Sequence, residues 1–490
     1  MLTLVACNRG DDSAQGGEDL ELRMISMVRA ETFDPFSTAL ADKVSMHAIF
    51  DTLLKFGMDG NPSPRVAESW VFEDDLTIVL TLRQDVYFHN GDKMTSADVV
   101  YTYERLLETP NGPHTLLFVN FMEAIDEYTI RVTRPAPFTR TLNFLAENIW
   151  IVNKNLHMED PGHLDRSPIG TGAYRFISHE VDGSVRLEAN ENYFGGVPAF
   201  RFATVLAPIE PATAVVALET GEVDIITPVP VAQFPIIENN PDLVLVDWPS
   251  WTINTFQMVG GQFADDVNLR KAAFHAIDRE KAILMAFDGR GTPARNFFAD
   301  LMMADYDGIV DIGGFDIELA RQYLEMSNYD PSQPLAVAAD AMTVAIAQSI
   351  QDDLRQIGIN ITVTQMETNA FYGEMMSGML DSFVIGFGTN MQSAEDYLMF
   401  YTTSGDSFGM FGPKNDYFDN LIAEIHTTFD DAARRELVRR AFEHMRDVTV
   451  PGVPIFEQTW QFAHSASITG LTPFSAPTYV YYLGDVRPVG

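Results

Sequence analysis

The sequence predicts an α/β protein of more than one lobe, and three features carry that reading. Strands and helices alternate across residues 334–388, the pattern of a parallel, doubly wound sheet. The chain is 490 residues long and 46% apolar, enough for several large cores, and its length suggests roughly three domains. The stretch from Pro64 to Leu107 switches from strand to helix period within one run: Ile78, Leu80 and Leu82 alternate with Thr77, Val79, Thr81 and Arg83, and a helical face follows.

Taken in order, residues 8–20 are small and polar and read as a flexible tether. Leu22 to Val28 reads as a strand. A helix follows through Met46, Ile49, Phe50, Leu53 and Leu54, ending near Gly57. Asp74-Asp75 makes the turn of a hairpin whose first arm holds Ser69, Trp70 and Val71. Asn90-Gly91 makes the next turn, since both residues tolerate a positive φ. Thr95 then caps a helix, with Asp98 at the capping-box position and Met94 placed to staple onto Val99. Val99, Val100, Tyr103, Leu106 and Leu107 form its apolar face. Tyr128 to Thr133 is a further strand. Phe202 to Ala207, Pro211 to Thr220 and Gly221 to Ile226 read as strand, helix and strand, with Pro211 and Gly221 at the helix ends. Trp251 to Met258 is strand-like, and Asp278 is placed to cap the helix through Ile283 and Leu284.

In the alternating region, Leu335 to Ala339 is a strand. Ala347, Ile350, Leu354 and Ile357 form a helical stripe that Gly358 ends. Ile359, Ile361 and Val363 alternate as a strand, Asn369 to Leu380 is helical, and Phe383 to Phe387 is a buried strand. Residues 416–447 form a long helical region with Leu421, Ile425, Leu437 and Phe442 inward. Val453 to Glu457 returns as strand, and the tail from Ile468 runs back toward the start of the chain.

Charge and motifs exclude several functions. There are 69 Asp and Glu against 32 Lys and Arg, a net charge of −37, which repels nucleic acid and anionic lipid. The acidity reads as a solvated surface. No His-Glu-x-x-His or Cys pair is present, so no enzyme is expected, and no cofactor or metal. His157 and His163 lie six apart in a polar loop and make a weak metal candidate. Glu443-His444 reads as the solvated face of a charged helix. Asp74-Asp75 and Asp265-Asp266 read as turn and cap carboxylates. Gly170-Thr171-Gly172 lacks the lysine of a phosphate loop and precedes a strand, so it reads as a turn. No run of about 20 apolar residues appears, so no membrane-spanning helix is expected.

The order of residues in the organising stretch resembles one family. Pro64-x-Val66-Ala67-Glu68-Ser69-Trp70, an acidic turn, Leu82-Arg83-x-x-Val86-x-Phe88-His89-x-Gly91 and a helix opening Ser96-Ala97-Asp98-Val99-Val100 are similar to the signature of family 5 extracellular solute-binding proteins, the peptide- and nickel-type receptors of ABC importers. Further matches are Phe33-Asp34-Pro35, Pro168-x-Gly170-Thr171-Gly172 with Ala173 for the usual Pro, Asn190-x-x-Tyr193-Phe194-x-Gly196, Leu218-x-x-Gly221-x-x-Asp224 and Leu269-Arg270-x-Ala272-x-x-x-Ala276-Ile277-Asp278-Arg279.

The resemblance implies a type II periplasmic binding protein-like fold of cluster C, two α/β lobes around a hinged cleft plus an extra lobe. It divides the chain into a tether (1–20), a first lobe (21–60 and 166–258), an extra lobe (61–165), a second lobe (259–460) and a return to the first lobe (461–490). It implies a receptor that delivers a peptide-like or other small solute to an ABC permease and ATPase complex, or alternatively a sensor. A monomer is expected, outside the cytoplasm. Candidate ligand contacts are Trp251, Asn254, Phe256, Tyr372, Phe387, Asn390, Gln458 and Trp460, an aromatic cleft with few polar anchors.

In peptide-binding relatives an aspartate closely following a Gly-Trp pair holds the peptide's amino group. Here the run is Gly386-Phe387-Gly388-Thr389-Asn390, with Asn at that position. The next carboxylates, Glu395 and Asp396, read as helix caps. An uncharged or carbohydrate-like solute is therefore expected over an ordinary peptide.

Leu4-Val5-Ala6-Cys7, ahead of a polar run, resembles a bacterial lipobox, so Cys7 is the expected lipidation site and membrane anchor. Six residues precede it, where a signal peptide needs a basic start and an apolar run of about 7–15 residues, so the expected leader is incomplete.

Overall fold

The computed structural model describes residues 20–37, 42–56, 61–109, 119–134, 141–147, 149–303, 311–388, 394–402, 411, 415–471 and 482–490. The chain opens with β1 (Glu21–Ile25) and α1 (Lys43–Ile49). The helix is shorter than the sequence suggests. Phe50 turns extended at its end, and Leu54 belongs to a short strand. Hairpin β2 (Ala67–Asp74) and β3 (Thr77–Leu82) follows, with Trp70 opposite Leu80. Gly91 alone in the next turn takes a positive φ.

Helix α2 (Ser96–Leu107) starts as expected: the Asp98 carboxylate accepts the Thr95 amide at 2.9 Å. Val99, Tyr103 and Leu106 are buried, whereas Leu107 is exposed. β4 (Phe121–Asp126) and β5 (Thr129–Thr133) complete a four-stranded antiparallel sheet. The sheet's inner face (Ile78, Leu80, Ile130, Val132) merges with the first lobe's core.

β6 (Tyr174–His179), β7 (Val185–Ala189), β8 (Phe202–Leu206), α3 (Pro211–Glu219) and β9 (Ile225–Ile226) build the rest of the first lobe. Strand β1 lies parallel between β8 and β9. Strand β10 (Leu243–Met258) is 16 residues long, and it leaves this lobe for the next. The second lobe contains α4 (Val267–Ala276), α5 (Arg279–Phe287), β11 (Thr292–Pro293), β12 (Leu335–Ala339), α6 (Val344–Gln356), β13 (Ile361–Gln365), α7 (Thr368–Met376) and β14 (Ser382–Phe387). The expected parallel pairing holds, with β12 beside both β13 and β14. The region read as one long helix is two, α8 (Asp416–Thr427) and α9 (Asp431–His444), because Asp430 caps a new start. Strand β15 (Gly452–Ser465) then runs back.

These strands join into one 11-stranded sheet, ordered β13-β12-β14-β10-β15-β9-β1-β8-β7-β6, with β11 on β15. One core spans Phe256 to Phe456, and another gathers Leu22 through Val205 with Phe462, Leu483 and Val486. Near the end of the chain, Asp485 pairs with Lys55 at 3.3 Å.

Three separate sequence motifs meet on one buried carboxylate. Asp51 pairs with Arg65 and accepts the Thr171 hydroxyl at 2.9 Å and the Tyr193 hydroxyl at 3.0 Å. Burial lowers the Arg65 pKa, but the charge and hydrogen bond of Asp51, together with Tyr193 and Tyr482, outweigh it, and the guanidinium stays charged. The glycines around Thr171 let the turn touch α1: a Cβ at Gly170 would lie 2.0 Å from the Ile49 carbonyl oxygen. Gly170→Ala should therefore cost about 2–3 kcal/mol, as overpacking against backbone. Gly373, with nothing within 4 Å of its built Cβ, should tolerate Ala without loss. Urea unfolding midpoints of the two variants check the contrast.

Candidate ligand-binding site

The site begins where β10 and β15 cross between the lobes. Both are long strands paired antiparallel, from Leu243 opposite Ser465 to Gln257 opposite Gly452. The ladder is irregular at two places, between Pro249 and Ile253 and again between Asn254 and Thr255, and the first is the wider. Pro249 pairs with Thr459 and Ile253 with Glu457, so Ser250, Trp251 and Thr252 bulge opposite Gln458 alone. Such a bulge bends the strand and re-aims its side chains. Behind it, Arg290 of the second lobe reaches the first. It donates to Glu238 at 2.5 Å and Asp247 at 3.2 Å and stands over the Phe234 ring at 4.2 Å.

Asn254 and Gln458, two of the polar candidates, lie side by side. They are 1% and 7% exposed, and Asn254 Nδ2 donates to Gln458 Oε1 at 3.3 Å. Strand β14 lies alongside, with Gly386 opposite Asn254. A Cβ at Gly388 would come within 2.4 Å of Thr252 Oγ1, so the end of β14 has no room for a side chain there. Among the described residues, Thr252 Oγ1 and Gln257 Oε1 are buried and make no hydrogen bond. Buried polar atoms are rarely left so, and a site for water or ligand satisfies them.

The aromatic candidates divide. Phe256 packs its ring edge-on to Phe263 inside the second lobe's core, and Phe387 sits among Tyr397, Phe400 and Phe411. Both are core residues and not cleft walls, because the sheet is covered on both faces in this lobe. Tyr372 is exposed on α7, edge-on to Phe371. Trp460 is half-buried at the border of the first lobe's core. Its register partner is Trp248, which places two indoles on one face of the crossing pair. The side chain of Trp251, all of Asn390, and Cys7 lie outside the described residues.

Glu395 is no cap. It is buried and pairs with Arg434 at 3.2 Å. His157 and His163 sit on short helices, 6.1 Å apart between ring centres, and the Tyr101 hydroxyl meets His157 Nδ1 at 2.6 Å. Among the described residues no three His, Cys, Asp or Glu side chains gather as a metal site. His444 is not on a solvated face, since its ring packs on Tyr417 and Phe418. Asp266 and Asp278 cap α4 and α5 as expected.

Sequence reasoning missed Glu457. It stands at the bulge, opposite Ile253, and its buried Oε1 makes no hydrogen bond among the described residues. Burial and then the nearby Asp300 charge raise its pKa to about 7. A lone carboxylate ending the apolar run Val453 to Phe456 was the available signal.

Three comparisons bear on this architecture. Residues 61–409 match the family model described as bacterial extracellular solute-binding proteins, family 5 middle. The chain is 24% identical to heme-binding protein A of Haemophilus influenzae, over 96% of this chain and 93% of that one. It is 23% identical to di/tripeptide-binding protein 2 of Pseudomonas aeruginosa, over 91% of each. The fold superposes on the ABC transporter substrate-binding protein CtaP of Listeria monocytogenes with a TM-score of 0.84 at 21% identity, covering 96% of this chain and 100% of that one.

The raised Glu457 pKa has a sign that can be measured. Between about pH 4.5 and 7 the unfolded chain loses this proton before the folded one does. Stability from this group therefore falls as pH rises through that window and stays lower above it. Glu457→Gln should match the native protein at pH 4 and exceed it at pH 8 by roughly 1 kcal/mol, after allowance for partial exposure. Thermal melts at both pH values check it, and equal differences at the two would count against it.

Proposed function

Because the chain belongs to family 5 of the bacterial extracellular solute-binding proteins, the substrate-binding proteins of ABC importers, we propose that it takes its solute at the β10–β15 crossing and closes the two lobes around it. The observation that carries this is a pair of buried, under-satisfied oxygens at the bulge, Thr252 Oγ1 and Glu457 Oε1, with Gln257 Oε1 further along the same strand as Thr252. A solute that hydrogen-bonds there, and is held by both lobes, binds the closed form better than the open one and shifts the population toward it. The paired crossing strands are the hinge, and an ABC permease receives the closed form.

The ligand we infer is an uncharged, hydroxyl-rich solute and not a peptide held by its amino terminus. Asn390 replaces the aspartate that holds that amine in peptide-binding relatives. Glu395 does not replace it, being committed to Arg434. Glu457, with a pKa of about 7, is a poor fixed anion for an ammonium but both donates and accepts hydrogen bonds near neutrality. The indoles of Trp248 and Trp460 offer an apolar face to a sugar ring. The names of relatives that bind haem and di- or tripeptides mark the breadth of the family.

Calorimetry against an oligosaccharide panel and a mixed di- to pentapeptide library tests this. Binding is expected from the first panel, with a smaller radius of gyration by X-ray scattering at saturation. Micromolar binding of several peptides, weakened by N-acetylation, would refute the ligand class. An unchanged radius at saturation would refute closure.

We further infer that Cys7 carries a lipid anchor. With a complete signal peptide supplied, the native chain should enter the detergent phase of a Triton X-114 separation and Cys7→Ser should stay in the aqueous phase, because two or more acyl chains hold firmly. Equal partition would rule the anchor out.

A further inference from the structure

A second feature stands apart from the crossing. Arg279 opens α5, a helix of 9 residues, and is 6% exposed. Its Nε donates to the Pro454 carbonyl at 2.8 Å and its Nη1 to the Gly313 carbonyl at 3.1 Å. The guanidinium stands over the Phe274 ring at 5.0 Å. Among the described residues, Nη2 is buried without a hydrogen bond, and no carboxylate forms an ion pair with the side chain.

This buried cation forms part of the wall of a cavity of about 490 Å³, together with Arg295, Asp311, Gly313, Gly314 and Phe315. The α5 N-terminus lines the same cavity through Asp278, Arg279 and Glu280. Its dipole favours negative charge there.

The carboxylates in the wall have other duties. Asp278 accepts the Lys281 amide at 3.1 Å, Asp311 accepts the Gly313 amide at 2.8 Å, and Glu280 is exposed. Arg295 pairs with Asp300 at 2.7 Å. Burial pulls the Arg279 pKa down to about 10, partly offset by the Asp311 charge, so the group is still a cation at neutral pH. A desolvated cation with a spare donor is costly unless an anion completes it. A planar fork of donors suits carboxylate or phosphate oxygen above other partners.

We propose that the second lobe carries an oxyanion-binding pocket centred on Arg279, which takes a carboxylate or phosphate group. The pocket draws only on second-lobe residues, and the inference does not need the reading of the cleft. Arg279 also grips Pro454 on β15, so an occupied pocket fastens α5 to the crossing strand.

The test uses Gly314, where a built Cβ lies 3.8 Å from Arg279 Nη1 in ordinary contact. Gly314→Asp brings a carboxylate to the guanidinium from within the chain, and Gly314→Ala controls for bulk. Melting temperatures are compared in sodium chloride, sodium phosphate and sodium acetate at equal ionic strength. The native chain and Gly314→Ala should gain about 2 °C at tenfold excess over the dissociation constant. Gly314→Asp should melt higher in chloride and gain nothing further.

A gain with phosphate alone supports a phosphoryl group, and a gain with both supports carboxylates as well. No gain for the native chain with either anion overturns the proposal. So does a gain that survives in Gly314→Asp, or one lost in the cleft variant Asn254→Ala, which would move the anion to the crossing. If Gly314→Asp does not fold, the phosphorus NMR line of inorganic phosphate decides. Broadening by the native chain that acetate reverses supports the pocket, and an unbroadened line overturns it.

Discussion

The pairing of β10 with β15 is the constraint on which the rest of the molecule depends. Two strands of 16 and 14 residues each belong to both lobes, and they hydrogen-bond to one another across the gap. Each lobe adds its own strands to the outside of that pair. The lobes therefore share a sheet but not a core, since the hydrophobic clusters divide on either side of the bulge. A continuous ladder resists separation, whereas its wider irregularity, at Ser250 to Thr252, lacks regular pairing and can bend. In the reading proposed above, motion and binding are thereby concentrated in the same few residues.

Each lobe is in turn fixed by a buried ion pair. In the first, Asp51 ties together Arg65, Thr171 and Tyr193, drawn from segments far apart in the chain. In the second, Glu395 and Arg434 join the segment after β14 to α9. Replacing one partner alone would leave a desolvated charge and cost more than the pair itself contributes. Arg279 has the same burial without the partner, which is why it stands out.

The crossing itself is polar where the lobes are apolar. Asn254 and Gln458 satisfy each other, but Thr252, Gln257 and Glu457 keep buried oxygens to spare. A protein that only needed a hinge would have no reason to hold desolvated polar atoms there. Their cost falls when a solute supplies the missing hydrogen bonds, which is how the proposed site would link recognition to closure.

The sequence by itself determined the local elements and the family. The period-2 run of β3, the capping box at Thr95 and Asp98, the parallel strands β12 to β14 and the caps at Asp266 and Asp278 rest on neighbours within a few residues, and such short-range signals survive in a linear reading. What lay in long-range register did not. An aromatic residue in a cleft strand and one in a core strand look alike in sequence, so Phe256 and Phe387 became candidates until the structure showed both faces of that sheet covered. The pairing of Glu395 with Arg434, 39 residues on, had no local signal. Trp248 gained meaning only as the partner of Trp460, and Glu457 only from the bulge opposite it and from Asp300. Burial and charge pairing depend on which distant segments meet. That is decided by packing in three dimensions and not by the order of residues along the chain.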